Sequence, residues 1–164
     1  MSKTEEFLKE AFAGESQANR KYLAFAKKAD EEGYPMAARL FRAAAEAETV
    51  HAHAHLRVLK GIKSTKENLM TAISGETHEF EHMYPEMIAA AAAEGNSAAK
   101  RSFEYANEVE KVHAALYQKM LDNLDNQTMV DLYICPVCGW TVAGEVPEKC
   151  PVCNTLKKFF QRID

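Results

Sequence analysis

Apolar residues recur at three- and four-residue steps through most of the chain, and the first such stripe runs through Phe7, Ala11, Ala18, Tyr22 and Phe25. That period belongs to a helix with one buried face and predicts a first helix from about Thr4 to Glu32. Gly33-Tyr34-Pro35 breaks it. Pro35 fits the first turn of a second helix running to about Lys60, where Gly61 supplies a stop. Ser64 followed by Glu67 has the form of a capping box and opens a third helix continuing to about Glu94. Pro85 lies inside that helix and removes one backbone donor, which predicts a kink near Glu81 to Pro85. Asn96 can cap a fourth helix ending near Asp122 to Asp125. After a linker at Asn123 to Met129 the stripe is lost, and β-formers mixed with Gly and Pro begin at Tyr133. The pattern therefore predicts two domains, a helical 1–128 and a small 129–164, whose roughly 35 residues are too few for a core without bound metal.

The helical part repeats. Aligning residues 32–52 with 94–114 gives eleven identities in twenty-one positions, among them Gly33/Gly95, Arg39/Arg101, Phe41/Phe103, Glu48/Glu110 and His51/His113. Ala11, Gly14 and Glu15 recur as Ala72, Gly75 and Glu76, with an offset one residue shorter. Two helix hairpins related by an approximate twofold axis are expected. The repeat fails at Ala18, which corresponds to Glu79 and leaves the second half with an additional carboxylate.

Chemistry enters through this repeat. Glu48/His51 and Glu110/His113 are two copies of Glu-x-x-His, and in a helix positions i and i+3 share a face. A lone Glu precedes each copy, at Glu15 and Glu76. This is the ligand arrangement of ferritin-like di-iron carboxylate bundles, in which two helices give a Glu each and two give Glu-x-x-His. Glu48 and Glu110 are expected to bridge two ions, with Glu15 and Glu76 terminal and His51 and His113 supplying nitrogen. Carboxylate-rich sites with open positions suit iron or manganese better than structural zinc, and iron fits best. Glu79, one turn beyond Glu76, could reach the same metal opposite His51, so that one iron exchanges Glu79 for His51 on reduction. Tyr22, Tyr84 and Tyr105 fall near the ligand turns, where a phenol can donate to a carboxylate or a bound oxygen species. His53, His55, His78 and His82 read as surface or supporting groups.

The four cysteines form two knuckles, Cys135-Pro-Val-Cys138 and Cys150-Pro-Val-Cys153, each spaced so that both sulfurs bind one ion. Such knuckles hold zinc or iron; beside a redox di-metal site a one-electron Fe(Cys)4 centre has the evident use. Asn154 stands where Gly often follows the second pair, and Asn tolerates the left-handed conformation. Trp140, Tyr133 and Phe160 are expected to pack over the thiolates.

Composition narrows the partners. With 47% apolar and 27% charged residues and a net charge of −4, the chain reads as globular, with no basic stripe for nucleic acid or an anionic membrane surface. No secretory h-region or membrane-length apolar run is present, so a cytoplasmic protein with reduced cysteines is expected.

Gly14-Glu15-Ser16, both Glu-x-x-His motifs, Gly75-Glu76-x-x-Glu79, Met83-Tyr84-Pro85 and the cysteine knuckles together resemble rubrerythrin over nearly the whole chain. The eleven residues between Cys138 and Cys150 match the shortened loop of that family's rubredoxin-like module. The resemblance implies a mainly α protein, a ferritin-like four-helix bundle plus a small C-terminal rubredoxin-like metal-binding domain. It implies a di-iron centre, oxo-bridged when oxidised, and one Fe(Cys)4 iron. The implied activity is a non-haem peroxidase reducing hydrogen peroxide to water in oxidative-stress defence. Electrons would come from rubredoxin or an NAD(P)H-dependent reductase, since this chain has no Gly-rich dinucleotide fingerprint. A bundle of roughly 28-residue helices is about 40 Å long, which raises the distance between the bundle metals and the chain's own cysteines. The resemblance implies a head-to-tail homodimer as the solution, with helix exchange through the loop after Gly61 a further option. Ferroxidase or iron-handling activity, and a zinc-ribbon interaction module, are the rival readings.

Overall fold

The computed structural model describes residues 2–164. Its helices are α1 (Lys3–Glu31), α2 (Pro35–Val58), α3 (Thr65–His78), α4 (Tyr84–Ala93) and α5 (Ser97–Asp122), with a π-helical turn at Glu79–Met83 joining α3 to α4. Three short strands follow, β1 (Leu132–Ile134), β2 (Thr141–Ala143) and β3 (Gln161–Ile163), paired antiparallel in the order β2-β1-β3. The chain forms two compact units, one ending at Lys63 and the other spanning Ser64–Asp164.

Local chemistry sets the helix ends. The Ser2 side chain accepts from Glu5 N–H, Ser64 and Glu67 form a reciprocal capping box, and Asn96 accepts from Ala99 N–H. α1 and α4 stop in the same way. Gly33 (φ 80°) and Gly95 (φ 69°) take the left-handed conformation, and the next residue's N–H closes on Ala29 O at 2.8 Å and on Ala91 O at 2.9 Å respectively. α2 ends differently from expectation, because the left-handed residue is Lys60 (φ 55°) rather than Gly61. Gly61 is required for space instead, since a Cβ there would lie 2.3 Å from Leu56 Cδ1.

In place of a simple proline kink, the third helix has a π turn in which Tyr84 N–H bonds Glu79 O, five residues back. Pro85 has no N–H to offer the preceding turn, and a π turn absorbs one extra residue in a helix. The second hairpin does contain one extra residue: Glu15 to Gly33 spans 18 positions and Glu76 to Gly95 spans 19. The shortened repeat offset is thus taken up within this turn.

In the first unit α1 packs on α2 through small residues. Ala26 and Ala29 of α1 and Ala38, Ala45 and Ala52 of α2 are buried, the last three at seven-residue spacing on one face. Without large side chains between them the helices approach closely enough for Asn19 Nδ2 to donate to Ala45 O at 2.7 Å and to Thr49 Oγ1 at 2.8 Å. Large apolar groups of this hairpin remain open: Leu40 is 71% and Val58 65% exposed. In the second unit α5 packs on both α3 and α4, burying Ala91, Val109 and Ala114. The largest fully buried side chains among the described residues are Cys135 and Cys150, which makes the small module a shell around sulfur.

Candidate metal centre

Each hairpin assembles one half of the expected ligand set. Glu15 of α1 meets Glu48 and His51 of α2, and Glu76 of α3 meets Glu110 and His113 of α5; in each trio one ligand atom per residue lies within 4.8 Å of the others. His51 Nδ1 is 3.0 Å from Glu48 Oε2. His113 Nδ1 is 2.7 Å from Glu110 Oε2 and 3.8 Å from Glu76 Oε1. In both halves Nδ1 is thus the nitrogen turned to the carboxylates, the i, i+3 spacing having put each pair on one helix face.

The second half is the more enclosed. The His113 side chain is 28% exposed and that of His51 55%. Burial, reinforced by Glu110 and then Glu79, raises the Glu76 carboxyl to about 7, because the carboxyl is partly desolvated and several carboxylates share one site. Glu79 lies outside the tight trio but within its field: burial and Glu110 raise its pKa, and His78 and His113 oppose the rise. Tyr84 is affected likewise, its phenol raised by burial and then by Glu110, Glu79 and Glu76, so it keeps its proton and can donate. Tyr84 also packs near Phe103, with ring centroids 6.4 Å apart. Tyr22 belongs to an aromatic group with Phe25 and Phe41 in the first unit. Tyr105 lies away from the trio and lines a groove with Trp140 and Pro151. His78 and His82 are exposed, their rings 5.5 Å apart.

The four thiols converge as the knuckle spacing requires. Cys135 Sγ is 3.5 Å from Cys153 Sγ, and Cys138 Sγ is 3.5 Å from Cys150 Sγ. That spacing suits four sulfurs around one ion with metal–sulfur bonds of about 2.3 Å. Each knuckle is closed by backbone bonds: Gly139 N–H to Cys135 O and Asn154 N–H to Cys150 O, both 2.9 Å. Gly139 (φ 84°) and Asn154 (φ 62°) both take the left-handed conformation. Trp140 stands edge-on to Phe160, ring centroids 6.1 Å apart, whereas the Tyr133 hydroxyl reaches Asp131 at 3.5 Å. Burial opposes ionisation of Cys153, but hydrogen bonds from Thr155, whose Oγ1 lies 3.1 Å from the sulfur, from the Thr155 backbone and from the Cys135 and Cys138 thiols outweigh it and lower the thiol to about 7. Burial is the main cause raising Cys138 and Cys150. Four sulfurs gathered this closely, two of them fully buried, fit a metal ion that draws off their protons.

The module lies against its own helix α5. Thr141 Oγ1 of β2 is 3.0 Å from His113 Nε2, and a Cβ on Gly139 would stand 3.8 Å from Val109 Cγ1. The expected separation between the cysteines and the same chain's bundle ligands therefore does not hold for the His113 half. Helix length suggested it, but the linker returns the module along α5 to the level of His113. Thr141 carries no motif that would have singled it out.

The rubrerythrin family model matches residues 6–121, and the model of the rubrerythrin rubredoxin-like domain matches residues 133–161. The chain belongs to the rubrerythrin family. It is 38% identical to rubrerythrin-2 of Clostridium acetobutylicum, covering 96% of this chain and 95% of that protein. It is also 38% identical to nigerythrin of Nitratidesulfovibrio vulgaris, over 96% of this chain and 85% of the relative. A mixed-valence nigerythrin structure aligns with TM-score 0.60 and 38% identity, covering 99% of this chain and 88% of the other. As a rubrerythrin, this mainly helical chain pairs a ferritin-like domain with a rubredoxin-like one, and its cofactors are a di-iron centre on Glu and His ligands and one iron on the four cysteines. Members of this family are oxidoreductases of oxidative-stress defence. Among the described residues no helix is long and apolar enough to cross a membrane.

Proposed function

We propose that this rubrerythrin is a cytoplasmic peroxidase that reduces hydrogen peroxide to water, taking its electrons through the cysteine-bound iron. The observation that carries this reading is the contact between the cysteine module and His113. An iron-storage bundle has no need of an electron inlet held against its metal ligands. When bound, paired ferrous ions supply both electrons needed to break the O–O bond.

The residues take roles in keeping with their positions. Glu48 and Glu110 would serve as the shared carboxylates of the metal pair, Glu15 and Glu76 as the outer ones, and His51 and His113 would supply the nitrogens. Glu79 is the spare carboxylate that would be available to the site as an alternative to His51, carboxylate suiting a ferric ion and imidazole a ferrous one. Tyr84, which keeps its phenol proton, donates a hydrogen bond to oxygen at the site; Tyr22 has the corresponding role in the first half. Residues 1–128 carry the reaction and 129–164 the electron entry.

We further assign a homodimer, helix-exchanged or head-to-tail, as the working form. Tyr34, Met36, Leu40, Val50 and Val58 leave wide apolar surface open on the first hairpin, and a second copy would cover it. The donor is a rubredoxin or an NAD(P)H-dependent reductase. Mixing anaerobically reduced protein with peroxide or with O2 tests the activity. The peroxidase reading expects peroxide to oxidise the di-iron centre much faster than O2, with one peroxide consumed per two electrons. Equal or faster reaction with O2 would favour a ferroxidase instead.

A further inference from the structure

The hydrogen bonds around Thr141 have one consistent direction. Gly139 O can only accept, so the single hydroxyl proton of Thr141 is committed to it at 3.1 Å. The 3.0 Å contact with His113 must then be Nε2–H donating to Thr141 Oγ1. Nε2 carries the ring proton, and Nδ1 faces Glu110 at 2.7 Å and Glu76 at 3.8 Å, where its lone pair would be offered to a bound metal ion. Gly139 is the residue after Cys138, and its own N–H closes the first knuckle on Cys135 O.

We propose that Thr141 is a positioning residue with two linked effects. It fixes the His113 imidazole with Nδ1 toward the metal, and it joins that ring through an unbroken hydrogen-bonded path to the Cys135–Cys138 knuckle. Electrons leaving the thiolate iron therefore enter the di-iron centre at its His113 half. This rests on the reading of the cysteine module as the electron inlet. The transfer is one electron: ferrous thiolate iron becomes ferric, ferric iron at His113 becomes ferrous, and no covalent bond changes at Thr141. A one-electron donor supplies the electron to the module.

The experiment uses fully iron-loaded, oxidised protein without oxygen or peroxide. A flash-generated flavin semiquinone reduces the thiolate iron, bleaching its visible ferric–thiolate absorption, which recovers as the electron moves on. T141V should slow that recovery by about tenfold or more, the usual size of an effect from a group supporting a metal ligand, and T141S should restore it. The bleach amplitude and the midpoint potential of the thiolate iron should stay at wild-type values. Recovery in T141V at the wild-type rate would overturn the assignment. So would a T141S variant as slow as T141V, or a changed potential that accounts for the slowing. A wild-type bleach that never recovers would instead defeat the electron-inlet reading on which the proposal rests.

Discussion

The two hairpins carry the same ligand trio on unequal supports. In the first, Glu15, Glu48 and His51 are positioned by the alanine-lined contact of α1 with α2, and the His51 ring is largely exposed. In the second, Glu76, Glu110 and His113 have a further carboxylate at Glu79, a half-buried phenol at Tyr84 and a hydrogen bond from His113 to the cysteine module. An internal duplication accounts for the shared trio, and of the additions the His113 bond is the one that reaches the cysteine module. Equivalent ligands need not be equally constrained: His113 is held through both ring nitrogens, by Glu110 and by Thr141, while His51 Nδ1 meets Glu48.

The largest test of this contrast removes the brace altogether. Cys150→Ser should abolish ferric–thiolate absorption and reduce bound iron by the cysteine share. It should also lower peroxide turnover by about 10- to 100-fold with donor-supplied electrons, as His113 loses its support. Turnover at the wild-type rate would show that the module is dispensable. Next comes the extra carboxylate: Glu79→Ala should lower turnover by about 10-fold while leaving iron content intact, and Ala18→Glu in the first half should not compensate. Full activity in E79A would remove Glu79 from the account.

A smaller, pH-dependent effect distinguishes the halves without metal. Glu76 holds its proton to about 7 in the folded chain, above its ordinary 4.5. The native state therefore binds more protons than the unfolded one in that interval, and stability falls as pH rises from about 4.5 to 7. In metal-free protein, urea midpoints followed by helical circular dichroism should show Glu76→Gln gaining on wild type across this window and matching it below. A constant difference at all pH values would contradict the assignment. The smallest effect concerns the first hairpin, where the exposed Arg42–Asp30 pair at 2.7 Å has no equivalent in the second. Asp30→Asn should cost no more than about 0.5 kcal/mol in a denaturant titration, and a much larger loss would mean that this pair, not the alanine contact, holds α1 to α2.

Much of this was legible in the chain because the determinants are local. Gly33, Ser64, Gly95 and Asn96 act on their own turns, and the knuckle spacing alone brings the thiols together. Asn154 adopts the left-handed conformation that its chemistry allows. The π turn was half visible: the repeat offset recorded one additional residue, but Pro85 pointed to a kink, and only the backbone reveals that both are resolved between Glu79 and Met83. At Gly61 the sequence identified a needed glycine for the wrong reason, since the crowding comes from Leu56. The bond from His113 to Thr141 spans 28 residues and a change of domain, so no periodicity or spacing rule could register it.

Mössbauer spectroscopy of the 57Fe-loaded, oxidised protein tests the central claim most directly, that the two Glu-x-x-His halves jointly hold a pair of irons served by a thiolate iron. The account predicts two parts of iron in an antiferromagnetically coupled, diamagnetic pair to one part in a magnetically isolated tetrathiolate site. Uncoupled single irons on the carboxylates, or zinc on the cysteines, would contradict it.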